Sequence, residues 1–340
     1  ANEFRKVKAW FEKFAFAPPE RIPGGWKITP PAPEDAPLSV HCRKRHPGYV
    51  IATNEADDDL DQCRKSNRAF WKQFWQRTVQ LNIPDRFYNR LFQFNAYKFA
   101  CATHPAGYAA GLQGPWIEEY QEAQWSGDYH FNVNVQMIYG AALSLGCPEH
   151  LLPLFDMIES KPFMDTLKHN AKVLFGIDDA LWFTHAVDDR GRQCGLLSCG
   201  SVLDPACGAW TALLYYGYWK YTRDRKFLLE RAFPFIRGIM RGYEAMLDRD
   251  FNIPVAISAE YASTNFNGDT AGKNPSYQLA AMHRLADILI ELSGELGQEP
   301  ESIWFEVKRK LPKYSLIKEF DAPSYDWNER IAIWEGQDLA

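Results

Sequence analysis

From residue 66 onward, apolar and aromatic side chains recur every three or four positions, the period of a helix with one buried face. "NRAFWKQFWQRTVQL" carries the pattern first, followed after a proline by "DRFYNRLFQFNAYKFACAT". The same spacing predicts helices over about 134–145, 148–160, 161–175, 208–223, 225–249, 276–296 and 300–311. Upstream the pattern differs. Residues 15–40 hold too much Pro and Gly for a long regular element. "PGYVIATNEADDD" reads as a short strand running into an acidic turn.

Some nine helices with no strands between them predict an all-α fold built from helix pairs. A fixed-period repeat is not visible, which disfavours a regular solenoid and leaves a closed toroid. The segments between helices, 104–131, 176–207 and 250–275, are long and hold most of the Gly, Asn, Asp and Trp. Long polar loops on a helical frame are where chemistry is expected, since the frame already supplies stability.

Composition narrows the class. The 340 residues carry 38 Lys and Arg against 43 Asp and Glu, a net charge of −5, which excludes a general binder of phosphate backbones and so of nucleic acid. A 46% hydrophobic share is ordinary, but 15% aromatic with 12 Trp is high. Such rings fill a large core or stack on the flat faces of sugars. No apolar run reaches the roughly 18–20 residues that cross a membrane. Seven scattered cysteines with no CxxC pair argue against a disulfide framework and against a zinc site, leaving room for one bridge at most; neither metal nor cofactor is expected. The opening "ANEFRKVKAWFEKF" is charged and amphipathic, with no visible signal peptide.

The candidate chemistry lies in the three loops. In "SGDYHFNVNVQM", Asn132 and Asn134 stand one residue apart, after Asp128, Tyr129 and His130. In an extended entry to a helix, positions i and i+2 point the same way, so the two amides can converge on a water or a hydroxyl. One helix cap needs one Asn, so the pair is not explained by capping alone. Gln113 and Trp116 lie earlier in the same loop. In the second loop His185, Asp188 and Asp189 cluster between Trp182 and Trp210, without a third ligand at metal spacing. In the third, Glu260 follows the apolar run from Ile253 to Ile257; partial desolvation there raises a carboxyl pKa, as a general acid needs.

Three blocks, "FWKQFW", "RLFQFNAYKFACATHPAGYAAGLQGPW" and "WSGDYHFNVNVQM", resemble the core of glycoside hydrolase family 95, the inverting α-L-fucosidases. "WFTHAVDD" and "ACGAWTALLYYGYWKYTRDRKFL" are similar to the family's next block, and "ISAEY" falls where its Ser-Pro-Glu-Asn stands. The order holds from about residue 68 to 340. The resemblance implies an (α/α)6 toroid of the six-hairpin glycosidase type over residues 66–340, incomplete at its end. Residues 1–65 would be a linker or the end of a preceding β-sandwich. It implies Glu260 as general acid, with Asn132 and Asn134 holding the attacking water. Gln113, Trp116, His130, His185, Asp188 and Trp210 would contact the sugar. The assisting aspartate would lie past Ala340, so this stretch alone is expected to turn over no glycoside.

There are departures. Ala186 replaces a family Asn, the family's Gln-Met-Asn-Tyr-Trp continues here as "QMIYGAA", and Ser-Pro-Glu-Asn becomes Ser258-Ala259-Glu260-Tyr261. These changes touch the sugar preference, so a relative such as L-galactose fits as well as L-fucose. Two readings from other classes stand beside the glycosidase: a silent sugar-binding toroid, and a polysaccharide lyase, for which the loops hold few Arg or Lys. The expected partner is an oligosaccharide or glycan, and the expected setting is secreted or periplasmic.

Overall fold

The computed structural model describes residues 2–33, 35–45, 48–54, 59–115, 123–194, 202–258, 271–317 and 330–336. The chain resolves into two compact units, one running to Thr78 and the other from Val79 onward. In the first, α1 (Asn2–Lys13) is followed by an antiparallel sheet of β1 (Glu20–Ile22), β2 (Gly25–Ile28), β3 (Leu38–Arg45) and β4 (Gly48–Thr53), paired in that order. The Pro- and Gly-rich stretch therefore yields only strands of three and four residues. α2 (Leu60–Arg77) closes the unit, its start fixed by the Asp59 carboxylate accepting from the amides of Asp61 and Gln62.

The second unit is helical: α3 (Arg86–Ala102), α4 (Asn134–Tyr139), α5 (Ala141–Ser144), α6 (Leu152–Glu159), α7 (Lys161–Phe175), α8 (Ala206–Thr222), α9 (Phe233–Met246), α10 (Ser276–Leu296) and α11 (Ser302–Lys310). The 3.6-residue period locates them within a few residues. Two predicted helices are broken. Residues 134–145 divide at Gly140, and 225–249 contains a π turn over Leu228–Ala232. α10 shows what the period does: Leu279, Met282, Ala286, Leu289 and Leu292 recur every three or four residues, and they and Leu285 are all fully buried. Burying each large side chain stabilises the fold by about 1.5–3 kcal/mol, and Leu285→Ala would cost about 2–5 kcal/mol.

Close approach needs small residues at two places on α9. A Cβ on Gly238 would come within 2.8 Å of the Leu181 side chain, and one on Gly242 within 3.0 Å of the Trp182 ring. Their absence lets residues 180–183 lie flat on the helix, with the Leu181 amide donating to the Gly238 carbonyl. Further in, Tyr215 of α8 stacks between Phe155 and Phe235, at centroid distances of 4.0 and 4.3 Å.

The expectation of no strands between helices is corrected. Two-residue antiparallel ribbons join the loops: β5 (Tyr129–His130) with β6 (Ala186–Val187), β7 (Ala256–Ile257) with β8 (Ala271–Gly272), and β9 (Leu316–Ile317) with β10 (Arg330–Ile331). Ala186, Val187, Ala256 and Ile257 are buried, and a buried backbone must pair its amides and carbonyls somewhere. Among the described residues, no helix is long and apolar enough to cross a membrane.

Candidate functional site

The β5–β6 ribbon assembles the site. Tyr129 pairs with Val187 and His130 with Ala186, and the Phe131 amide donates to the His185 carbonyl at 2.8 Å. This register sets the rings of His130 and His185 edge to face, 5.5 Å apart at 84°. Trp125 extends the wall, 5.9 Å from His130 and 74% exposed. The approach to the ribbon is bent: Trp125, Ser126 and Gly127 all adopt positive φ, costly for the first two. Gly111 admits the bend, because a Cβ there would meet the carbonyl oxygens of Gly127 and Asp128 at 3.0 Å.

Each histidine has an aspartate. The Asp128 carboxylate is hydrogen-bonded to His130 Nδ1, and both side chains are largely buried. On the other side, His185 Nδ1 lies 3.9 Å from Asp204 Oδ2, too long for a hydrogen bond. Asp204 is fully buried just before α8. Its Oδ1 accepts from Gln278 Nε2 at 2.8 Å, while Oδ2 has no partner in hydrogen-bonding geometry among the described residues. Burial pushes the Asp204 carboxyl up to about 6, against the opposing effect of the Gln278 amide. Gln278 also donates to the Ile257 carbonyl at 3.0 Å and accepts from the Tyr243 hydroxyl at 2.8 Å. The buried carboxylate is thus tied to the β7 strand, three residues before Glu260.

Asn132 is fully buried and Asn134 half-buried. Neither is the residue that precedes α4: that position is Val133, and no side chain caps this helix. Val133, at φ −155° and ψ −37°, is not extended, so the side chains of Asn132 and Asn134 do not share a direction through strand geometry. The Phe131 carbonyl before them is held by Gln136 Nε2 at 2.7 Å, and the same amide reaches the Thr211 hydroxyl of α8 at 3.3 Å.

The remaining candidates are dispersed. Asp188 is turned into its own loop: Oδ1 accepts from the amides of Arg190 and Arg192 at 2.9 Å, and Oδ2 pairs with the Arg192 guanidinium at 2.7 Å. Gln113 ties its loop to the Gln124 carbonyl and lines a cleft of about 830 Å³ with Tyr108, Tyr129 and Asp189. Burial and the Asp189 charge push the Tyr129 phenol up to about 12. Trp210 lines a different cavity, of about 250 Å³, with Tyr277 and Arg284. Trp116 and Glu260 lie outside the described residues. Asp204, Gln136 and Gln278 were not singled out by sequence reasoning; nothing local marks them, because their partners come from distant helices.

The arrangement can present two imidazoles, one of them held through Nδ1 by Asp128, to the hydroxyls of a polyol, beside a buried amide. The model of the "Glycosyl hydrolase family 95 catalytic domain" matches residues 54–320. "Alpha-L-fucosidase 2" of Arabidopsis thaliana is 30% identical over 254 residues, 70% of this chain and 29% of that protein. "Probable alpha-fucosidase A" of Aspergillus niger is 29% identical over 163 residues, 48% of this chain and 20% of that one. The chain thus spans under a third of the length of these curated relatives. A solved structure from the human microbiome, assigned as a kojibiose phosphorylase, aligns at TM-score 0.60 and 12% identity, over 87% of this chain and 48% of its own. At that identity the likeness is one of fold, and the helical unit has the architecture of the (α/α)6 six-hairpin class.

Proposed function

The chain belongs to glycosyl hydrolase family 95, and from that premise we propose that it acts as an inverting exo-α-glycosidase of the α-L-fucosidase kind, removing a terminal sugar from a glycan. Glu260 delivers a proton to the glycosidic oxygen. Asn132 and Asn134 hold a water on the opposite face of the ring, and amide oxygens accept its hydrogen bonds without removing a proton. A carboxylate must take that proton, and the family resemblance sets it past Ala340. An inverting pair keeps its acid and base about 6.5–9.5 Å apart to admit the water.

The observation that carries the reading is the β5–β6 ribbon, which puts His130 and His185 ring to ring immediately before the buried Asn132. Polar rings held on and beside one ribbon favour a sugar whose hydroxyls match them and reject one that lacks a match, because buried polar groups are then left unpaired. L-Fucose and L-galactose share most of that pattern, and both are proposed as the terminal sugar.

The test is to follow the whole protein by proton NMR on α-L-fucosides and α-L-galactosides. Inversion releases the β anomer first. Release of the α anomer would overturn the mechanism, and binding without hydrolysis would leave a silent sugar-binding toroid. Glu260→Gln should lower turnover about 10²–10⁴-fold on poor leaving groups and less on activated aryl glycosides. Equal loss on both would remove Glu260 from the acid's role.

A further inference from the structure

Away from the ribbon, the turn before α6 gathers three side chains of metal-ligating type. Pro148–Leu151 forms a 3₁₀ turn, and its three-residue period brings Cys147 and His150 onto one face, with the His150 amide donating to the Cys147 carbonyl at 3.1 Å. Glu149 stands between them. One ligand atom from each of Cys147, Glu149 and His150 lies within 4.8 Å of the other two. Cys147 and His150 are each 1% exposed, while Glu149 is half-buried.

The neighbours of His150 favour one tautomer. His150 Nδ1 lies 3.0 Å from Thr103 Oγ1. That hydroxyl has one proton and donates it to the Phe99 carbonyl at 2.7 Å. With the proton so placed it accepts from Nδ1–H, and in the neutral ring the lone pair is then on Nε2. A neutral imidazole held through one nitrogen by an outer partner, with the other as donor atom, is the usual state of a metal-binding histidine. The Phe99 ring lies 5.3 Å from the imidazole and limits its rotation.

We propose that Cys147, Glu149 and His150 form a binding site for a single zinc-class divalent cation, held by Sγ, a carboxylate oxygen and Nε2. The Cys147 thiol gives up its proton to solvent as the Sγ–metal bond forms. Thiolate, carboxylate and a 2+ ion then sum to zero charge, which a nearly buried site tolerates far better than a lone ion. Zinc bonds of ~2.0–2.3 Å in a tetrahedron put ligand atoms roughly 3.3–3.7 Å apart, so the triad closes by about 1 Å. Of the three, the half-buried Glu149 has the longest side chain to bring the carboxylate in. The bound ion would pin the end of α3, through Thr103, to the start of α6. Its role is structural and goes beyond the sequence expectation of no metal.

The test uses Co²⁺ and Zn²⁺ alone with the full chain. One equivalent of Co²⁺ should bind and give the near-ultraviolet charge-transfer band of a cobalt thiolate, displaced by Zn²⁺. Cys147→Ser should abolish the band, and Cys63→Ser, at an exposed cysteine, should leave it intact. Glu149→Gln should weaken Zn²⁺ binding at least tenfold, and Thr103→Val about 10–100-fold by freeing the imidazole. Should Cys147→Ser fail to fold, Glu149→Gln decides: unchanged Zn²⁺ affinity overturns the site. A folded chain that binds no stoichiometric Co²⁺, or a band that survives Cys147→Ser, overturns it as well.

Discussion

The two histidines of the ribbon differ in how their aspartates reach them. Asp128 and His130 are two residues apart, on one short bent segment, and are joined by a hydrogen bond. Asp204 and His185 belong to different parts of the second loop, and His185 Nδ1 stands 3.9 Å from Asp204 Oδ2. The first pair is local chemistry. The second is a by-product of helix packing, since Asp204 is set by the start of α8 and clamped from α10 by Gln278. A local pair can be read as a pair and contributes little to holding the fold together. A distant, fully buried carboxylate is instead a source of strain in the fold, and that strain is measurable.

The largest expected effect lies there. In the folded chain burial raises the Asp204 carboxyl to about 6, above the ~3.9 of an unfolded aspartate. Between those values the folded state binds more protons than the unfolded one, so this group's contribution to stability is full below pH ~4 and falls as pH rises to about 6. Two pKa units correspond to a loss on the order of 2–3 kcal/mol. Asp204→Asn should remove that slope. Chemical denaturation of both proteins across pH 4–7 gives a difference curve, and a flat difference would show that Asp204 is ionised at no cost.

Gln278→Leu sharpens the same side of the comparison with a smaller change. It keeps most of the buried volume but deletes the donor to Asp204 Oδ1 and the acceptor for the Tyr243 hydroxyl. Groups left unsatisfied in the interior cost about 1–3 kcal/mol. The missing donor should also move the Asp204 titration upward. Thermal unfolding at pH 4 and pH 7 checks both: the variant should lose more at pH 7. Equal loss at both values would mean that Gln278 packs without supporting the charge.

On the local side, Asp128→Asn keeps an oxygen for His130 Nδ1–H but removes the charge. A charge-assisted bond becomes a neutral one, a loss of about 1 kcal/mol. In the whole protein, kcat/KM should fall about fivefold, the equivalent of that energy. A fall of several hundredfold would instead mark Asp128 as a proton acceptor in the reaction.

The same contrast explains what the sequence revealed. α10 was legible because Leu279 to Leu292 keep the helical period for its whole length. The ribbons were not, since two residues per strand carry no period, and their pairing is imposed by burial of the loops. Asp128, His130 and Asn132 were legible as a cluster because they are neighbours in the chain. Asp204 was not, because the residues that define it are Gln278, 74 positions away, and a histidine at the far end of the same long loop. The Asn132–Asn134 pair was found, but its extended geometry was not, because the chain already turns into α4 at Val133.

The smallest effect is expected where a charge pair looks most conspicuous. Arg192 Nε meets Asp188 Oδ2 at 2.7 Å, yet the Arg192 side chain is 57% exposed. Exposed pairs of this kind contribute about 0–1 kcal/mol, because water screens the attraction and a long side chain loses freedom. The turn has a stronger tie in Asp188 Oδ1, which accepts from the backbone amides of Arg190 and Arg192. Arg192→Ala leaves both amides in place, so unfolding free energy should drop by less than about 0.5 kcal/mol. Asp188→Ala removes the shared acceptor and should cost about 1–2 kcal/mol, like the loss of a helix cap. If Arg192→Ala proved as damaging as Asp188→Ala, the ion pair, and not the carboxylate's grip on the backbone, would be what shapes this loop next to His185.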